Sequence, residues 1–156
     1  MIDWGAVARI VHVLAVVVWI GGVWMVTTIL LPAIAAKAPA EFAQGFREIE
    51  QRFAPQARIA VILVLLSGLY MAQHYALWPR FGQSRFWWMH LMVFVWALFA
   101  LLLFVLEPLV LRRKFHQEAA FASRPAPAAM LRLHRVMLGL ALLAIAAAVG
   151  GREGLF

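Results

Sequence analysis

The first apolar run of the sequence most constrains what this chain can fold into. From Ile10 to Ala36 it contains 27 consecutive residues without a formal charge. A helix needs roughly 20 apolar residues to cross the hydrocarbon core of a bilayer. The composition agrees, because 65% of the residues are hydrophobic and 13% charged, against about 45–50% and about 25% in soluble domains. The sequence therefore predicts an integral membrane protein.

Three further apolar runs complete the predicted architecture. We expect spans at residues 6–36, 57–78, 86–111 and 128–150, joined by connections at residues 37–58, 79–85 and 112–126. The fourth uncharged run, Val136 to Gly151, has only 16 residues. Its helix is expected to begin at Pro127, with Arg132 and Arg135 extending to the membrane surface. Short connections make sequential helices antiparallel neighbours, so we predict a single all-α domain, a four-helix up-and-down bundle.

The distribution of lysine and arginine predicts the orientation. The side with the first and third connections carries ten of these residues: Lys37, Arg47, Arg52, Arg58, Arg112, Arg113, Lys114, Arg124, Arg132 and Arg135. The other side carries four: Arg9, Arg80, Arg85 and Arg152. The positive-inside rule then places both termini in the periplasm, for a bacterial inner-membrane protein. The net charge of +7 is explained by orientation and anionic lipid, not by nucleic acid.

Histidines inside apolar runs are the main functional signal, because ionisable residues in a membrane span are costly. His12 and His90 are both expected in the outer half of the bundle, and Trp19 lies on the same helical stripe as His12. Two imidazoles at similar depth are suited to the two axial positions of a heme b iron. Arg9, Arg80 and Arg85 at the same end are candidates for pairing with the heme propionates.

Other interpretations of these residues remain open. Each histidine is also compatible with a simple hydrogen bond to a neighbouring helix. Copper is the chemical alternative, since thioether and imidazole ligands from Met71, His74, Met89 and Met92, beside His90, would suit Cu(I). Methionine is equally a common packing residue. Glu107, the acid nearest a span interior, is expected to pair with Arg132 or Arg135.

Several classes of function are excluded or disfavoured. The chain has no cysteine, which excludes disulfides, thiolate metal sites and cysteine nucleophiles. The membrane part contains no carboxylate pair, no HExxH motif and no phosphate-binding glycine loop. An enzymatic activity is therefore left undecided.

Some segments resemble a known family. The run from His12 to Gly22, Arg52-Phe53 leading into Leu66-Ser67-Gly68, His90-Leu91-Met92, and the closing residues from Val149 to Arg152 resemble small membrane proteins of the copper resistance protein D (CopD) family. The resemblance covers nearly the whole chain and implies a four-helix membrane domain.

The same pattern is similar, more distantly, to the HemJ-type protoporphyrinogen oxidases. That resemblance implies a heme-linked histidine at His12 and carries over to His90, whereas the family lysine two residues later is Met92 here. The oxidase activity is therefore not carried over. We expect a heme b protein that exchanges electrons with a quinone or redox partner. The alternatives are a CopD-type copper transport or tolerance protein, and a cofactor-free accessory subunit of a larger membrane complex, with homo-oligomers also possible.

Overall fold

The computed structural model describes residues 2–109 and 127–155, without the side chains of residues 39, 40, 43 and 127. The described part contains helices and no strand. Four of its helical segments are long and apolar enough to cross a membrane: Trp4–Ala35, Gln44–His74, Ser84–Leu109 and Ala128–Arg152. These segments confirm the predicted all-α four-helix membrane bundle. The connection predicted at residues 112–126, with four of the ten inner basic residues, lies outside the described residues.

The helices are named here in chain order. Helix α1 spans Trp4–Ala35, and α2 spans Pro39–His74. Two 3-10 turns, Trp78–Gly82 and Ser84–Phe86, lead into α3, which begins at Trp87 and is described to Leu109. Helix α4 spans Pro127–Arg152.

Helix α2 is much longer than the span expected at residues 57–78. It begins at Pro39, a residue suited to the first turn of a helix, and so includes most of the expected first connection. Charged side chains in this part lower the hydropathy without interrupting backbone hydrogen bonds. The helix ends at His74, ahead of Ala76, whose φ of 50° is left-handed.

Contacts between helix ends show that α1 is antiparallel to α2 and that α3 is antiparallel to α4. A methyl group at Gly5, near the start of α1, would collide with His74 and Tyr75 at the end of α2. A methyl group at Gly151, near the end of α4, would collide with Trp88 in the first turn of α3. Helix α1 packs most closely against α2, and α3 against α4, while α1 also contacts α4 and α2 contacts α3.

Small side chains on α2 and α4 allow close packing in the centre of the bundle. Ala57, Val61 and Ala141 are at most 2% exposed and belong to one core cluster. Small residues let membrane helices approach closely, where dispersion contacts hold them together. Large apolar residues such as Val17 and Phe94 are by contrast more than half exposed, as expected for a surface that faces lipid.

Two of the four helices contain a π-helical segment. These segments are Val26–Leu30 in α1 and Leu101–Leu106 in α3. Each is followed within two residues by a proline, Pro32 or Pro108, whose missing N–H leaves a carbonyl of the preceding turn without its helical donor. Such widened turns are often found at functional sites.

Candidate functional site

His12 lies between α1 and α2, not at the lipid surface. Its Nδ1 is 3.0 Å from Oγ of Ser67 on α2. The neighbouring Gly68 presents its backbone to the imidazole, because a methyl group added there would lie 3.4 Å from Cε1 of His12. The Ser67-Gly68 pair therefore forms a small polar recess that holds the His12 ring.

The hydrogen bonds of Ser67 define which nitrogen of His12 carries the proton. The Ser67 hydroxyl donates to the carbonyl oxygen of Leu63, 2.5 Å away. With its one proton donated to Leu63, the hydroxyl oxygen accepts from Nδ1 of His12, which is then the protonated nitrogen. In that tautomer the lone pair of neutral His12 is on Nε2. This arrangement is typical of a histidine prepared for a metal ion.

Trp19 lies further along α1 on the same stripe. It is 4% exposed and packs edge-to-face against Phe99 of α3, with ring centroids 4.8 Å apart. Its indole N–H has no hydrogen-bond partner within the described part of the chain. Unpaired buried donors are rare, so the interior face of α1 has an unused donor about 10 Å from His12 along the helix axis.

His90 has a different environment from that of His12. It is exposed, and its ring makes an edge-to-face contact with Phe81 in the turn before α3, at 5.4 Å between centroids. Its stripe on α3 is exposed as well, with Val93 and Phe94 at 50% and 58%. The structure thus places the two predicted ligands on different kinds of surface, one within a helix interface and one outside it.

The predicted propionate partners lie at the same end of the bundle as His90. Arg9 is exposed and lies over the Tyr75 ring, 5.3 Å from its centroid. Arg80 and Arg85 both lie over the Phe86 ring, at 5.1 and 4.5 Å. All three guanidinium groups remain at the surface, where an anionic group can reach them.

The residues of the copper alternative have different surroundings in the structure. Met89 is 5% exposed, and Met92 packs against the core cluster. His74 is exposed and packs against Tyr70 and Tyr75. Within residues 2–109 and 127–155, no group of three or more histidine or acidic side chains is arranged to hold a metal ion.

A second polar region lies at the opposite end of the bundle. Glu107 of α3 forms an ion pair with Arg58 of α2, with Nη2 and Oε1 2.7 Å apart, and is 11% exposed. The Arg58 Nε also donates to the carbonyl of Leu103 in the π-helical segment. This pairing corrects the expectation that Glu107 pairs with Arg132 or Arg135. Since α2 extends through the expected loop, it places Arg58 beside the end of α3.

The ion pair borders a cavity of about 220 Å³, which Glu50 and Gln51 also line. His134 of α4 lies at the same end, where its Nδ1 donates to the carbonyl of Met130, 3.0 Å away. This region holds charge within the membrane part of the chain, but its acid and base are already paired with each other.

Sequence reasoning overlooked Ser67 and Arg58. Ser67 lay within a segment quoted for the family resemblance, and a serine in an apolar run is a recognisable signal for a contact between helices. Arg58 lies where the expected first connection meets the second span. The stripe of polar residues on α2, spaced at helical intervals from Arg47 to Arg58, is the signal that could have identified it.

Comparison with known proteins identifies the family of this chain. No curated protein and no solved structure matches the chain significantly. Residues 6–150, which include all four helices of the bundle, match the family DUF2269, described as a predicted integral membrane protein. The chain therefore belongs to the DUF2269 family of integral membrane proteins.

Proposed function

We propose that this protein binds one heme b and transfers electrons in the bacterial inner membrane, with a quinone or a redox protein as its partner. In this proposal His12 and His90 would hold the heme iron. The site lies near the outer face, on the side of both termini. The HemJ-type resemblance supports the two histidines, and the charge asymmetry supports the outward placement.

The observation that carries the proposal is the hydrogen bond from His12 to Ser67. It orients the imidazole and leaves Nε2 available with its lone pair. Outer hydrogen bonds of this kind fix the tautomer and the ring orientation of metal-binding histidines.

Two further observations support a bound group on this side of the bundle. The buried indole N–H of Trp19 is a donor that has no acceptor among the described residues. Arg9 and Arg85 are exposed, and their positive charges can pair with the propionate carboxylates of a heme. A heme bound there would supply one-electron redox chemistry, while the protein holds the iron and sets its surroundings.

The decisive test is the visible absorption spectrum of the full-length chain, purified after expression with ample heme and compared before and after dithionite. We expect Soret and alpha bands of a low-spin heme. His12→Ala should lose the heme. Because His90 is exposed, His90→Ala should retain heme through His12 but lose the low-spin bands. His74→Ala, an exposed histidine at the same end, is the matched control and should leave the spectrum unchanged.

Copper analysis of the same preparations tests the alternative. A Cu(I) site would depend on Met71, His74, Met89 and Met92, so their replacement would lower the copper content and leave any heme bands intact. A colourless wild-type protein that retains copper would contradict the heme proposal. A protein with neither group would favour the accessory-subunit alternative.

A further inference from the structure

A groove between α1 and α4 lies within the membrane part of the chain, away from His12. Its volume is about 350 Å³. The α1 wall includes Thr27 and Pro32, and the α4 wall consists of Arg135, Leu138, Gly139 and Leu142. Both walls belong to candidate membrane spans.

The floor of the groove is formed by Gly139, which has no side chain. A methyl group added at Gly139 would meet no atom within 4 Å, so the surface there is an open notch. Thr27 is 2% exposed, and its hydroxyl donates to the carbonyl of Val23, which leaves a largely apolar wall.

Polarity along the groove changes from charged to apolar in the direction of the bilayer centre. Leu138, Gly139 and Leu142 lie three, four and seven residues after Arg135, so the four residues form one stripe on α4. Arg135 is exposed and makes no hydrogen bond or ion pair within the described part of the chain. Its long side chain can reach the membrane surface while the leucines lie about 5–10 Å deeper.

We propose that this groove binds one anionic phospholipid, with its phosphate on Arg135 and an acyl chain along Leu138, Gly139 and Leu142. The charge at one end and the apolar notch beyond it match the two parts of such a lipid. The proposal is independent of the proposed heme site, since no residue is shared between them.

The test compares two lipids that differ only in headgroup. Phosphatidylglycerol and phosphatidylcholine with identical acyl chains are titrated into the full-length protein in mild detergent, and bound lipid is counted by native mass spectrometry. We expect a preference for phosphatidylglycerol. Arg135→Gln should reduce that preference about fivefold, the effect of about 1 kcal/mol for one basic residue at an anionic membrane. The control Arg132→Gln, on the same helix but outside the groove, should have little effect.

A second variant tests the notch itself. Gly139→Leu should reduce binding of both lipids by a similar factor, because it fills the path of the acyl chain. Ala129→Leu, an exposed position on α4 outside the groove, should not. Equal binding of the two lipids by the wild-type protein, equal effects of the two arginine variants, or a bound quinone in place of phospholipid would each overturn the proposal.

Discussion

At the scale of single residues, His12 and His90 have similar sequence contexts but different surroundings in the structure. Both are histidines in apolar runs near one end of a span. Only His12 has a neighbour, Ser67, that orients its ring from another helix. His12, whose ring is held by a hydrogen bond, is therefore the better candidate for a residue that binds iron tightly. Within the described residues His90 has no such partner on another helix, and it is the better candidate for a residue whose bond to iron exchanges.

The first prediction concerns Ser67. Ser67→Ala removes the acceptor for Nδ1 of His12, and loss of such a partner costs about 10- to 100-fold in metal affinity. We expect heme binding, measured by titration of the Soret band, to weaken within that range. Ser67→Thr keeps the hydroxyl and should retain most of the affinity. Equal affinity in the alanine variant would mean that Ser67 only joins two helices.

At the scale of helices, several segments that resemble the CopD family lie at interfaces between helices. His12 of α1 meets Ser67 and Gly68 of α2, and Gly22 of α1 lies against the Phe53 ring. Gly151 of α4 lies against Trp88 in the first turn of α3. The conspicuous glycines are thus places of close helix packing, and this role accounts for them without any cofactor.

Neighbouring glycines on α1 give a matched pair of variants. A methyl group at Gly22 would come within 2.7 Å of Cζ of Phe53, while one at Gly21 would meet nothing within 4 Å. We expect Gly22→Ala to destabilise the protein by about 1–3 kcal/mol through overpacking. Gly21→Ala should be neutral or stabilising, since alanine favours helix over glycine. Thermal unfolding in detergent, followed by circular dichroism, measures both; equal effects would contradict the assigned packing.

The ion pair between α2 and α3 leads to a third prediction. Removing one partner leaves a partly buried charge without its counter-ion, so Glu107→Leu or Arg58→Met alone should destabilise the protein. We expect about 2 kcal/mol, because Arg58 is 32% exposed and water screens part of the charge.

The double variant of Arg58 and Glu107 should be less destabilised than the sum of the two single variants, which a double-mutant cycle of unfolding free energies measures. Arg52→Met, an exposed residue on the same helix, is the control and should change little. Additive effects would show that the pair is not coupled.

At the scale of the whole molecule, the direction of insertion decides which compartment each polar region faces. The ten-to-four charge asymmetry predicts that Lys37 lies inside and Arg80 outside. Both residues are exposed between helices, and the chain has no native cysteine. In intact cells, an impermeant maleimide should therefore label Arg80→Cys but not Lys37→Cys. The reverse pattern would move the proposed His12 site to the cytoplasmic side.

The sequence by itself determined that the chain folds in a lipid bilayer and that it crosses the bilayer as four helices. Each run of about 20 apolar residues must satisfy its backbone hydrogen bonds internally within a bilayer, which leaves the helix as the solution. The antiparallel order then followed from short connections. Hydropathy did not locate the start of α2 at Pro39, because charged residues at the end of a span alter polarity without ending the helix.

Only the tertiary structure decided which face of each helix points inward. Lipid tails and the bundle interior are both apolar, so hydropathy cannot distinguish a packed stripe from a lipid-facing one. The stripes of His12 and His90 are similar in the sequence, yet Trp19 is 4% exposed and Phe94 is 58% exposed. The partners of His12 and Glu107 come from 55 and 49 residues away. Such long-range contacts depend on helix rotation and depth, which local patterns leave undetermined.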